Sequence, residues 1–290
     1  MVQFNQALNY AVEVRDDIQI ASCNQKLGNH YLRMGILATA ENYYKNVVNI
    51  RKKTNDDKGL ASIYNNLVIL SEQKNDMEAA YGYLKESLLI RRKLGNPADL
   101  ANSLVRLGSL QLKNGKFEEA KKALNEALSL IDEKTDKRTY VNTTNLLSTT
   151  YIETGDFKNA KKWIDKSHML AEELNDINYK INSKYNEATA AYYSGDYRKG
   201  VEINSKVIEN LESTKTPDKL NQLQASYLLH FNLLGELGLK DAEEWYDKLM
   251  TTKPDKKMET NIYLNYARYF SLIGNNDSHL NFAKKSYELR

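Results

Sequence analysis

Gly115-Lys116-Phe117-Glu118-Glu119-Ala120 is followed forty residues later by Gly155-Asp156-Phe157-Lys158-Asn159-Ala160, and forty later again by Gly195-Asp196-Tyr197-Arg198-Lys199-Gly200. Counting backwards by the same step gives Asn75-Asp76-Met77-Glu78-Ala79-Ala80 and Gly35-Ile36-Leu37-Ala38-Thr39-Ala40. Five turns on one period of this size predict a solenoid of stacked repeats. Each hexapeptide has a physical reading. Gly or Asn supplies the positive φ that ends one helix. The next residue, often Asp, opens a second helix, where a carboxylate suits both the free amides and the helix dipole. An apolar residue follows, then an Ala or Gly small enough for two helices to touch.

The period extends beyond the turn. Leu27, Leu67, Leu107 and Leu147 stand eight residues before it, and small Gly28, Gly108, Ser148 and Ala188 seven before it. Val47, Ser87, Ala127, Ser167 and Val207 lie twelve after it. Together with the turn, these positions resemble the tetratricopeptide repeat, a helix-turn-helix unit. Usual units of that family run about 34 residues, so the longer period predicts longer helices or linkers. This variant resembles the repeats of kinesin light chains and of several bacterial regulators and peptide receptors. Asn65-Asn66-Leu67 followed by Leu88-Leu89-Ile90-Arg91 is especially like the kinesin light-chain wording. The resemblance implies an all-α, right-handed superhelical solenoid of antiparallel helix pairs. It leaves the ligand unnamed, because a scaffold does not fix its function.

Composition narrows the function classes. A solenoid of 290 residues needs no division into domains. Three prolines and 13 glycines are few for this length, as an almost wholly helical chain requires. A net charge of +3 is too small to argue for nucleic acid or a membrane surface as partner. No run approaches the roughly 18 apolar residues of a membrane span, and the N-terminus lacks a signal-peptide core. Cys23 is the one cysteine, so no internal disulfide can form. Its apolar neighbours predict a buried thiol, and a cytoplasmic location is the default for such usage.

In chain order, residues 1–17 align with the second helix of a repeat whose first helix is absent, since Ala7-Leu8 and Tyr10 match Val47-Val48 and Ile50, and Phe4 matches Tyr44. This predicts either a half-repeat acting as a cap or a piece cut from something longer. Residues 18–290 then read as about seven helix pairs in one continuous solenoid. Five of them cover about 18–53, 58–94, 98–132, 138–175 and 179–211, with Pro97 opening the third in a first turn where its missing amide is harmless. The last two drift. Pro217 precedes the sixth, whose turn falls near 237, and Pro254 the seventh, whose turn is Gly274-Asn275-Asn276. His279 replaces the small residue there, which predicts looser helix packing. No polar capping helix follows, so both ends are expected to expose apolar faces and to favour self-association.

No catalytic constellation is present. His30, His168, His230 and His279 lie in different repeats without metal-ligand spacing, and no phosphate loop, nucleophile elbow or Cys-x-x-Cys pair occurs. Neither a cofactor nor a metal is implied. The tyrosines, densest at Tyr179, Tyr185, Tyr192, Tyr193 and Tyr197, read as core and inter-repeat packing. Glu187 departs from the pattern by standing where the other units have leucine. A buried carboxylate needs a partner or a raised pKa, unless the helix rotates enough to let it reach water.

The first helix of each pair is the informative face, because in the resembled family it lines the concave groove. Thirteen residues before the turn stand Ser22, Ser62, Asn102, Asn142, Asn182 and, in the drifting units, Gln224 and Asn261. Nine before it come Lys26, Asn66, Arg106, Leu146, Asn186, Leu228 and Asn265. Four residues apart, the two rows share a helix face. Asparagine is a poor helix former, so its recurrence suggests pairing with an extended peptide backbone. Hydrogen bonding between helices is the competing reading. Lys26 with Arg33, and Arg106 with Lys113, add positive charge, to which Arg268 contributes and against which stand Glu72 and Glu153. A mildly basic groove favours a ligand bearing carboxylates. The resemblance to carboxylate-clamp members extends to Asn29, Asn66 and Arg106, while Gln25 and Asn102 replace two clamp lysines.

The sequence therefore predicts a non-enzymatic scaffold whose groove holds an extended peptide or a partner protein's helix. The alternative is the sensor or dimerisation segment of a bacterial regulator.

Overall fold

The computed structural model describes residues 2–214 and 219–289, with side chains from residue 6 onward. Pro217 and the side chain of Phe4 lie outside the described residues. Two compact units divide the chain, 1–139 and 140–290. The described residues of the first form α1 (Val2–Glu13), α2 (Asp17–Arg33), α3 (Leu37–Lys53), α4 (Asp57–Gln73), α5 (Met77–Leu94), α6 (Pro97–Lys113) and α7 (Phe117–Leu130). The boundary falls in the first turn of α8 (Lys137–Glu153). The second unit continues with α9 (Phe157–Leu174), α10 (Ile177–Ser194), α11 (Tyr197–Ser213), α12 (Leu220–Glu236), α13 (Ala242–Thr251), α14 (Lys256–Leu272) and α15 (Asn276–Glu288). The chain is an all-helical solenoid of tetratricopeptide-like helix pairs.

The turn chemistry read from the sequence is present, and it recurs between the helix pairs as well. Positive φ occurs at Gly35, Asn75, Gly115, Gly155 and Gly195, the five predicted turns. It occurs again at Arg15, Asn55, Gly95 and Asn175, between the pairs. The second series carries no constant residue type, which is why only the first stands out by eye. After each positive-φ residue comes an N-cap. Asp56, Asp76 and Asp156 accept backbone N–H bonds from Gly59, Ala79 and Asn159 at 2.8, 3.0 and 3.1 Å. Asp196 occupies the same place without a side-chain cap bond. Pro97 is the first residue of α6, after the N-cap Asn96.

The recurrent apolar and small positions build the core. Leu27, Leu67 and Leu147 are fully buried, as are Ala40, Ala80, Ala120 and Ala160. A Cβ on Gly108 would stand 2.6 Å from the Leu124 side chain, so only glycine lets these helices meet. Leu107 departs from its expectation of full burial. It is half-buried against the Val68, Ala80, Leu84 and Leu110 cluster, because Leu104 and Leu110 of the same helix fill the interior. The position twelve after the turn is buried in the five regular units, and two of its occupants there are polar. Ser87 donates to Asn65 Oδ1 at 3.1 Å and Ser167 to Asn145 Oδ1 at 2.5 Å. Where that position holds Val47, Ala127 or Val207, the matching first-helix residue is Gln25, Val105 or Tyr185 instead. In these units the buried serine thus occurs only where an asparagine stands opposite to accept its hydrogen bond, as burial of a polar group demands.

Register slips after Gly195. Leu237 closes α12 and Gly238 takes the positive φ, whereas Gly235 stays inside the helix facing Tyr269. The seventh turn uses Gly274, and Asn275 caps Ser278 at 3.1 Å. His279 is part-buried with Nδ1 2.9 Å from the Ala267 carbonyl, and Phe282 holds α15 against Tyr246, Tyr266 and Phe270. Ala7, Tyr10 and Tyr287 are exposed, whereas Phe282 and Ala283 are part-buried, so the expected apolar end faces are incomplete. Cys23 is a free, buried thiol.

Candidate functional site

In unit 1–139 several of the predicted groove residues are engaged within the protein. Asn29 Oδ1 accepts from the Tyr44 hydroxyl at 2.8 Å and from Asn66 Nδ2 at 3.0 Å. Gln25 accepts from Arg51 Nη2 at 2.8 Å. Both clamp-like amides are therefore committed within the protein. Arg106 and Lys113 converge on Glu72, at 3.2 and 2.8 Å. One carboxylate thus offsets part of the charge that the sequence assigned to a basic groove, and the Arg106 and Lys113 side chains stay partly exposed. Asn102 is exposed, with Oδ1 accepting a 3.3 Å bond from Thr139. Lys26 and Arg33 are also exposed.

The expectation of an accessible asparagine ladder divides in unit 140–290. Asn142 is exposed, and Asn182 is half-buried with its Oδ1 accepting from Gln222 at 3.0 Å. Asn186 is buried: its Nδ2 donates to the Ser148 hydroxyl at 2.8 Å and to the Asn145 carbonyl at 3.2 Å, both on α8. That amide joins two helices. Gln224 is likewise buried and donates to Thr252 at 2.9 Å, so Gln222 takes its predicted place beside Asn182. Glu187 reaches water at one side and pairs with Lys184 at 3.0 Å and with Lys199 at 3.8 Å. It lines a hollow of about 160 Å³ together with Ile164, Ala190 and Ala191.

A cleft of about 440 Å³ opens between the first helices α10, α12 and α14. Tyr185, Tyr192 and Tyr193 form one wall, Ala225, Leu228, Leu229 and Met258 the apolar floor, and Asn232, Asn261, Asn265 and Arg268 the other wall. A smaller cavity of about 250 Å³, lined by Asn182, Tyr185, Gln222 and Ala225, shares residues with it. Burial raises the phenol pKa of all three tyrosines, which stay protonated donors at neutral pH. Asn265 donates to the Asn261 carbonyl at 2.8 Å. The side-chain amides of Asn232 and Asn261 make no hydrogen bond among the described residues. Arg268 pairs with Glu236 at 2.6 Å.

Of the ten predicted groove residues only Asn182 borders these cavities. Reading the tyrosines as packing missed this wall: Tyr193 is 53% exposed. Asn261, Asn265 and Arg268 were legible as aligned groove positions, but Asn232 was not, because the drift hides its register. Among the described residues, no group of three His, Cys, Asp or Glu side chains could hold a metal, and no helix is long and apolar enough to cross a membrane.

Models of the tetratricopeptide repeat match residues 59–133 and 144–173. No curated protein matches. Among solved structures, the apo form of RapI aligns with TM-score 0.75 at 13% identity, covering 93% of this chain and 97% of that one. The apo form of the quorum sensor NprR from B. thuringiensis aligns with TM-score 0.74 at 14% identity, covering 97% and 80%. A tetratricopeptide repeat protein from Parabacteroides merdae aligns with TM-score 0.66 at 16% identity, covering 93% of each chain. Repeat models, turn chemistry and fold agree: residues 59–133 and 144–173 match tetratricopeptide repeats, within a chain that has the tetratricopeptide-like solenoid fold.

Proposed function

We propose that this protein is a non-enzymatic scaffold that holds an extended peptide or partner segment in the cleft between α10, α12 and α14. The unpartnered amides of Asn232 and Asn261, standing above an apolar floor, carry the reading. An extended backbone needs donors and acceptors at its sides and a place for its side chains, and this cleft offers both. Asn142, exposed on α8 of the same unit, would serve as a further contact for a longer ligand. A second reading, the sensor segment of a bacterial regulator, draws on the likeness of nearly the whole chain to a quorum sensor. Both readings share the cleft.

The test is binding of the full chain to a displayed library of random heptapeptides, repeated with Asn232→Ala and Asn261→Ala combined. Each lost hydrogen bond is worth about 0.5–1.5 kcal/mol, so the pair should weaken selected peptides roughly ten-fold. Folding should be unharmed, since alanine is the better helix former. A library that enriches nothing, or peptides indifferent to the double variant, would remove the cleft from the account.

A further inference from the structure

We infer that the cleft selects an uncharged segment presenting one large apolar or aromatic side chain, and discriminates against acidic segments. This rests on the cleft reading above and specifies its ligand. The floor of Ala225, Leu228, Leu229 and Met258 offers no polar partner, so the side chain seated there must be apolar. Tyr185 and Tyr193 stand across from it, and aromatic faces add offset or edge-on contacts to an incoming ring.

Charge decides against the carboxylate ligand that a basic groove would take. Arg268 is the cation of the cleft lining, and its guanidinium is held 2.6 Å from a Glu236 carboxylate whose side chain is only 13% exposed. Glu236 already neutralises that guanidinium, so a ligand carboxylate approaching the exposed side of Arg268 gains little net attraction. Glu153, exposed at the end of α8, adds negative potential at Tyr185 and Tyr193. An acidic segment therefore meets a field that is neutral to repulsive. Backbone contacts fall to Asn232 and Asn261, which do not read side-chain charge.

The experiment sequences the heptapeptides retained by the full chain from a random displayed library, with circular dichroism melts confirming that each variant folds. The expected pool carries Phe, Leu, Ile, Met or Trp at one fixed place, several-fold above the starting library, without excess Asp or Glu. Tyr193→Ser and Leu228→Ser should weaken that pool about ten-fold, the order expected for one lost apolar contact. Tyr193→Ser, at a half-exposed residue, keeps the test open if Leu228→Ser fails to fold. Glu236→Gln, which releases Arg268, should move the pool towards Asp and Glu. A wild-type pool rich in Asp and Glu that Arg268→Gln abolishes would overturn this inference and leave the cleft as the binding site. A pool unaffected by every cleft variant, or no pool at all, would overturn both.

Discussion

Residues 1–139 keep one period throughout, whereas residues 140–290 lose it after Gly195, and the two regions handle polar side chains differently. In the regular region, neighbouring first helices present polar residues at a fixed offset. Asn66 meets Asn29 and Thr139 meets Asn102, each 37 residues apart. The same offset joins Asn186 to Thr149 before the slip. Strict spacing lets one repeat satisfy the next, as burial between helices requires. After the slip, Asn232 and Asn261 find no such partner, and the cleft opens where they stand. Regularity spends polar groups on cohesion, and irregularity leaves them available to a ligand.

The largest expected effect tests whether the regular core is as continuous as its sequence. Leu67→Ala and Leu147→Ala remove fully buried side chains and should each cost about 2–5 kcal/mol in urea denaturation. Leu107→Ala, at a half-buried member of the same row, should cost about half as much. Equal losses at Leu67 and Leu107 would mean that the row is uniform and the structural distinction false.

The next effect belongs to the irregular region alone. His230 is 4% exposed, with its ring 4.3 Å from Trp245 and Nδ1 3.4 Å from the Asn204 amide. Burial, reinforced by Lys248, lowers its pKa from 6.5 to about 4. The unfolded chain therefore binds a proton that the folded chain refuses between these values. Stability should fall as pH drops from about 6.5 to about 4, by about 3 kcal/mol in all. Urea midpoints across that range, compared with His230→Asn, measure it. An unchanged slope in the variant would assign the acid sensitivity elsewhere.

A smaller difference separates two asparagines of the predicted ladder. Asn186→Ala removes the two hydrogen bonds that join α10 to α8 and should destabilise by about 1–3 kcal/mol. Asn142→Ala, on an exposed helix face, should stay within about 0.5 kcal/mol of wild type. Similar melting shifts for both would contradict the division of the ladder into structural and accessible members.

The smallest expected effect repairs a break in the leucine row. Glu187→Leu restores the residue found at Leu27, Leu67 and Leu147 and fills part of the hollow beside Ile164. A gain of about 0.5–2 kcal/mol is expected, reduced by the loss of the Lys184 pair. A destabilised variant would show that the carboxylate contributes more than the space it leaves empty.

The sequence by itself determined the helix pairs, the five turns and the residues that cap them, because those depend on local backbone preferences repeated at constant spacing. It also determined the small contacts at Ala40, Ala80, Ala120 and Ala160, since any larger side chain there would separate two helices. Tertiary structure decided which asparagines are spent. Asn182 and Asn186 occupy one face of α10, and that face meets a different helix along its length, so Asn186 is consumed by α8 while Asn182 borders a cavity. The cleft itself was decided there too: its lining comes from three helices brought together by packing, and the register that aligns them slips in the last repeats, where periodicity no longer tells which side chain faces which.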